Sequence, residues 1–161
     1  DLELLFSTNP FVSSDIARFS MIKPNRTDRL ALDANREGLQ ISLPEEFKSE
    51  NVLVEVSGGG LRKASAYYSN SLRVHLSPNY GQLQVTQAED RERPLTKVYI
   101  KVYAEIDGQP QFYKDGYTDL RGKFDYASLS TDEIERASRF SILIMSEENG
   151  AVVQETKPPQ Q

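Results

Sequence analysis

The chain has 161 residues, of which 38% are hydrophobic, 27% charged and 9% aromatic; that is a folded composition, enough for one large domain or two small ones, and too apolar for a disordered tail. Its net charge of −5 comes from 24 acids and 19 bases, and no basic stretch is able to neutralise a row of phosphates, which excludes nucleic acid as the expected partner. Cysteine is absent and His75 is the single histidine, so disulfides, thiolate nucleophiles, zinc–cysteine sites, two-histidine metal sites and histidine relays are all unavailable within one chain.

No apolar run reaches the roughly 18 to 20 residues of a membrane span, so no membrane insertion is expected. No basic start followed by an apolar centre marks a secretory signal. The start at Asp1 and the closing Thr-Lys-Pro-Pro-Gln-Gln, with 158–161 as a linker or tail, suggest a piece of a longer polypeptide.

Short alternating runs broken by Gly, Pro, Asn and Asp predict an all-β fold of antiparallel sandwiches. In chain order the expected strands are 2–6, 17–22, 28–33, 38–43, 51–57, 61–68 and 71–77, then 82–88, 97–106, 110–117, 123–128, 141–147 and 151–156. Val52, Val54 and Val56 share one face of their strand. In Lys-Val-Tyr-Ile-Lys-Val-Tyr-Ala-Glu-Ile the alternation is clearest. Val98, Ile100, Val102, Ala104 and Ile106 face one way; Lys97, Tyr99, Lys101, Tyr103 and Glu105 face the other. Ser-Ile-Leu-Ile-Met-Ser, apolar on both faces, predicts a central strand covered on both sides. Asp107-Gly108 and Asn149-Gly150 signal hairpins. Gly58-Gly59-Gly60 permits a loop with positive φ and is no phosphate loop, having neither a Gly-Lys-Ser/Thr ending nor a helix behind it. The one expected helix is near 130–138, capped by Ser130 or Thr131.

Pro78, Asn79 and Gly81 place a joint at 77–81. The expected organisation is therefore two tandem sandwiches, 1–78 immunoglobulin-like and 79–157 the second. The second half carries −4 of the −5 charge.

Residues 81–129 resemble a carboxypeptidase-regulatory-like domain of the transthyretin-like (prealbumin-like) sandwich class, which would extend to 157. Pro94, Leu95, Thr118, Asp119, Gly122 and Phe124 carry the likeness. The resemblance implies a non-catalytic spacer or contact domain. Related adhesin repeats carry a Lys–Asn cross-link, but the first strand here, Gly-Gln-Leu-Gln-Val-Thr-Gln, has no Lys, so none is expected. The Asp119–Gly122 stretch is also legible without the family, as a structural turn: Asp119 accepts backbone N–H bonds and Gly122 takes a conformation closed to residues with a Cβ.

No catalytic residues, metal ligands or cofactors are expected. His75 reads as a solvated strand residue without a nucleophile beside it. Asp115, Asp119 and Asp125 lack calcium-loop spacing, and 88–92 is a charged hairpin loop. Tyr67 and Tyr68 read as strand packing. The suggestive feature is the face bearing Tyr99, Lys101 and Tyr103, to which Tyr113 or Tyr117 is added if the next strand pairs beside it. Such a face packs across strands, lies under the 130–138 helix, binds a partner protein or stacks on a sugar. The expected function is a non-enzymatic structural or protein-interaction module of a larger protein. Its partners would be neighbouring domains or another protein; the alternative is a carbohydrate- or peptide-binding module using the tyrosine face. Fold analogy gives an extracellular, periplasmic or cell-surface location as the expectation.

Overall fold

The computed structural model describes residues 2–8, 10–11, 24–31, 38–128 and 132–159. Among these, nine strands form: β1 (Val52–Gly58), β2 (Leu61–Tyr67), β3 (Leu72–Ser77), β4 (Gln82–Gln87), β5 (Tyr99–Ile106), β6 (Gln109–Tyr117), β7 (Lys123–Asp125), β8 (Ala137–Ser146) and β9 (Gly150–Thr156). Two short helices, α1 (Leu2–Thr8) and α2 (Asp132–Arg136), complete the regular structure of the described residues with two single 3₁₀ turns. Each of these strand pairs is antiparallel, so the all-β architecture predicted from the alternation is the one that forms.

β3-β4-β7 make one sheet and β6-β5-β8-β9 a second. They stack face to face, and the core lies between them. Leu72, Leu83 and Val85 come from the first sheet; Ile100, Val102, Ala104, Ile106, Phe140, Ile142 and Ile144 come from the second. The period of two in β5 does this directly, since every even-numbered residue from Val98 to Ile106 is buried. β5 and β8, both central, supply most of that surface.

The turns follow their residues. Asp107 and Gly108 both have positive φ, 52° and 76°, and join Ile106 to Gln109 as a two-residue hairpin. Gly59 and Gly60 do the same between β1 and β2, at 56° and 80°. Asn149-Gly150 differs in detail. Ser146 pairs with Gly150, leaving a three-residue loop closed by Gly150 in the left-handed region.

In the first half, the strands expected at 51–57, 61–68 and 71–77 form as β1, β2 and β3, and the residues before them depart from expectation. Residues 2–6 are helical, because Leu2 and Phe6, four apart, make one apolar face and Thr8 Oγ1 donates to Leu4 O at 2.8 Å to close the last turn. Residues 38–43 and 28–31 are coil, most of it exposed; no neighbouring strand takes their ladder groups among the described residues. The strand expected at 17–22 lies outside the described residues. The two-stranded sheet β1-β2 carries exposed Leu53, Val54, Val56 and Leu61. Residues 77–81, where the joint is expected, connect β3 to β4, which pair from Leu72–Gln87 to Ser77–Gln82. α2 covers only 132–136, and β8 starts at Ala137, where apolar alternation takes over from the acidic turn.

Candidate functional site

The outer face of the four-stranded sheet is assembled from alternate residues of four strands. β5 presents Tyr99, Lys101 and Tyr103, opposite Tyr117, Asp115 and Phe112 of β6. On the other side, Met145, Leu143 and Ser141 of β8 stand opposite the same three residues, and β9 adds Ala151 and Val153. The face therefore has an apolar floor, an aromatic edge and a central cation.

Tyr113 does not belong to it. A register shift between Val102 and Tyr103 leaves Tyr113 as an extra residue between Phe112 and Lys114. This bulge flips the alternation. The Tyr113 ring packs edge-on against core Phe140, centroids 5.2 Å apart, and its hydroxyl accepts the Ser128 N–H at 3.1 Å. Tyr117 takes the place beside Tyr99, at 5.5 Å, and Phe112 stands against Tyr103, at 5.9 Å.

Nor is the face open. The N-terminal segment lies on it. Phe6 sits on Leu143 and Ala151, with Leu2, Tyr103, Met145 and Val153 around them. Phe6 and Phe11 are buried, at 2% and 0% exposure. The Arg139 guanidinium lies 4.5 Å above the Phe11 ring, and Ser141 Oγ donates to Pro10 O. At the other end, Lys101 Nζ donates to Glu3 Oε1 at 2.7 Å. Tyr99 OH donates to Asp115 at 2.9 Å, with Glu3 Oε1 at 3.4 Å. The cover expected from the 130–138 helix thus comes from α1; Ile134 of α2 enters the inner core instead.

The electrostatics match these contacts. The hydrogen bond from Lys101 holds the Glu3 carboxyl below its ordinary range. Burial, reinforced by the bond to Asp115, holds the Tyr99 hydroxyl well above its ordinary value, so it stays neutral and donates. On the rim, Arg139 Nη2 pairs with Glu105 at 2.8 Å and Nη1 with Glu155 at 3.3 Å; the bonds from Arg139 and Ser138 lower Glu105. Such a surface holds an amphipathic segment with an acid at one end and aromatics along it.

The remaining sequence candidates are dispersed. His75 is exposed on β3 opposite Gln84. Asp125 Oδ1 accepts from Gln82 Nε2 at 2.7 Å, and Asp90 Oδ1 accepts the Glu92 N–H in the charged loop. Among the described residues no group of acids or histidine has metal-binding geometry, and no helix is long and apolar enough to cross a membrane. Asp119 Oδ1 accepts the N–H of Arg121 at 2.8 Å and of Lys123 at 2.9 Å, which lowers its carboxyl. Gly122 has φ 69°, and a Cβ there would stand 2.4 Å from Val85 O. Sequence reading missed Glu3, Phe6, Phe11 and Arg139. The available signal was the outer side of β8: Ser-Ile-Leu-Ile-Met-Ser, apolar on both faces, called for cover on both sides, and buried Leu143 has it, but nothing local named the segment that supplies it.

Comparison with known proteins agrees with the fold. Residues 71–161 match the family model described as the AbpF C-terminal domain, and residues 1–54 match that of the AbpF seventh immunoglobulin-like domain. Actin-binding protein F of Dictyostelium discoideum is 39% identical over 160 residues, covering 99% of this chain and 7% of that protein. The chain therefore spans a small part of the relative's length. No solved structure matches. These matches are immunoglobulin-like and do not support the carboxypeptidase-regulatory-like assignment of the second half; of the positions that suggested it, Asp119 and Gly122 make a turn while Leu95 and Phe124 pack against the core. They also overturn the extracellular, periplasmic or cell-surface expectation, since the relative's name points to the cytoskeleton. Over more than half its length this chain belongs to the AbpF C-terminal domain family, preceded by a stretch matching the seventh immunoglobulin-like domain.

Proposed function

We propose that this chain is a non-enzymatic structural and protein-interaction module of a larger actin-associated protein. Its sandwich would form one unit from about residue 71 onward, and the preceding stretch would belong to the neighbouring immunoglobulin-like unit. The two family matches, to residues 1–54 and 71–161, support that division. The observation that carries the reading is the seating of Phe6 and Phe11, from the first matched stretch, on the outer sheet face of the second. A face that buries aromatics of an adjoining segment behaves as a contact surface between chain units. The sugar-binding alternative is disfavoured by the same observation, because α1 occupies the floor beside Tyr99 and Tyr103. The name of the relative makes actin filaments the first partner to test, in a cytoskeletal setting.

Co-sedimentation of the whole chain with filamentous actin tests the reading. Saturable pelleting above the filament-free control is expected. A folded chain that stays in the supernatant across the titration overturns actin as this module's partner.

A further inference from the structure

Only Tyr68–Ser71 separate β2 from β3. The first matched stretch ends at residue 54, inside β1, and the second begins at residue 71, so this connection joins the two. Units of one chain joined by a short linker ordinarily swivel; this linker is tied down on both sides. Toward the hairpin, Ser69 N–H donates to Asn51 Oδ1 at 3.0 Å, just beyond the Val52–Tyr67 pair that ends the β1-β2 ladder. Toward the sandwich, it pairs with the β8–β9 loop. Asn70 stands opposite Gly150 as an antiparallel bridge. Ser71 N–H donates to Asn149 O at 2.8 Å, and Ala151 N–H to Ser69 O at 3.3 Å. Ser71 Oγ donates to Asn149 Oδ1 at 3.1 Å, and Ser71 O accepts the Ala88 N–H at 2.9 Å. The Asn70 side chain staples the bend itself, with Nδ2 donating to Tyr68 O and Oδ1 accepting the Leu72 N–H, both at 3.1 Å. Gly150 lets the linker come this near. It has φ 79°, and a Cβ there would stand 2.2 Å from Ser69 O and 3.0 Å from Asn70 Cα. Both neighbours are backbone, which no side-chain rotation can move aside.

We infer that Tyr68–Ser71 is a locked joint: clipped to Asn51 on one side and to Asn149–Ala151 on the other, it holds the β1-β2 hairpin and the sandwich in one orientation. A swivel needs backbone groups that exchange freely with water. Here Tyr68 O, Ser69 N–H and O, Ser71 N–H and O, and Leu72 N–H all have protein partners, and rotation about the linker would leave them to be satisfied again one by one. Gly150 is the position on which the lock turns, because any side chain there pushes Ser69 and Asn70 off the β8–β9 loop. A locked joint passes orientation from one unit to the next, which is what a structural module in a longer protein does and a flexible tether does not. The inference rests on the structural-module reading and deepens it. Filament pelleting reports a partner and not the joint, so each fails alone.

The test measures a distance across the joint in the whole chain. The sequence has no cysteine, so Lys63→Cys on β2 and Asn79→Cys at the β3–β4 turn, both exposed, take spin labels without competition. Double electron–electron resonance between them should give a single narrow distribution. Two variants then open the lock in different ways. Gly150→Ala drives a methyl group into Ser69 and Asn70. Ser71→Pro removes the N–H donated to Asn149 and the hydroxyl donated to its side chain, and it leaves the β8–β9 turn untouched. Each should broaden the distribution roughly twofold, as a freed linker does. Gly108→Ala is the control: it has the same sign of φ, 76°, in a hairpin with nothing within 4 Å, and it should leave the width unchanged. Amide-exchange protection of β5 and β8 establishes that the sandwich is folded in each. A broad distribution in the chain carrying only the labels overturns the lock, as does an unchanged width in either folded variant. Broadening in Gly108→Ala equal to that in Gly150→Ala would assign the effect to turn strain and overturn the part given to Gly150.

Discussion

Phe6 of α1 stands edge-on to Tyr103 of β5, ring centroids 5.6 Å apart and planes at 86°. The two residues are far apart in the chain, and their contact turns a tyrosine expected to face ligand or solvent into the wall of an occupied seat. Edge-to-face geometry of this kind contributes beyond area burial, and Tyr103 makes a second such contact with Phe112, centroids 5.9 Å apart.

Phe6→Ala should release the segment. Removing a buried Phe costs about 3 kcal/mol, more than so short a segment retains after its ordering entropy. Amide exchange of 2–8 should become fast while β5 and β8 keep their protection, and loss of protection throughout the sandwich would contradict a detachable segment.

The segment's hold should weaken in acid. The carboxyl of Glu3 lies below its ordinary value of 4.5, chiefly through Lys101. A lowered folded-state value adds stability that is present above the ordinary value and is lost as pH falls through the folded value. Glu3 is 39% exposed and Lys101 15%, so the contribution is below about 1 kcal/mol. Ring resonances of Tyr103 followed by NMR should move toward the released position below pH 4.5, and Glu3→Gln should flatten that response. An acid limb equally steep in Glu3→Gln would assign it to Glu105, whose carboxyl is lowered in the same sense.

Gly122→Ala should destabilise the sandwich by about 3 kcal/mol, since strain at positive φ adds to a clash with backbone. The clash is with Val85 O at 2.4 Å. Gly108→Ala, at φ 76° with nothing within 4 Å, should cost only about 1 kcal/mol. Urea unfolding of the pair separates strain from collision; equal costs would mean that Val85 yields.

Tyr113 and Tyr117 should respond oppositely to truncation. Tyr113→Ala removes a core ring against Phe140 and should cost about 3 kcal/mol. Tyr113→Phe, losing the bond from Ser128 while keeping the ring, should cost about 1 kcal/mol. Tyr117 is 64% exposed, and its Ala variant should fall within about 0.5 kcal/mol of wild type. Thermal denaturation decides it, and a neutral Tyr113→Ala would return that residue to the outer face.

Much of the sandwich was legible because its signals are local. Strict alternation through Ile100 and Val102, sustained along the whole strand, has no helical reading, and Asp107-Gly108 needs no partner to prefer its turn. Leu2 to Phe6 had no such signal. A short, mostly apolar run suits a strand or a helix equally, and burial of Phe6 against Leu143 settled the matter. Tyr113 was misplaced for another reason. A bulge is one extra residue in a pairing, and nothing in Gln-Phe-Tyr-Lys-Asp-Gly-Tyr marks which residue is extra.

By itself the sequence determined the class of fold, the central strands and the hairpin turns, because alternation and positive-φ residues act within a few positions of one another. It also excluded cysteine chemistry and histidine pairs by simple absence of the groups. Only the tertiary structure decided what covers the tyrosine face. Glu3 and Lys101 are 98 positions apart, and no local rule pairs an N-terminal acid with one lysine of a distant strand. That choice was made by the apolar floor of β8 and β9, which had to be covered, and by the segment whose aromatics and charge fit it.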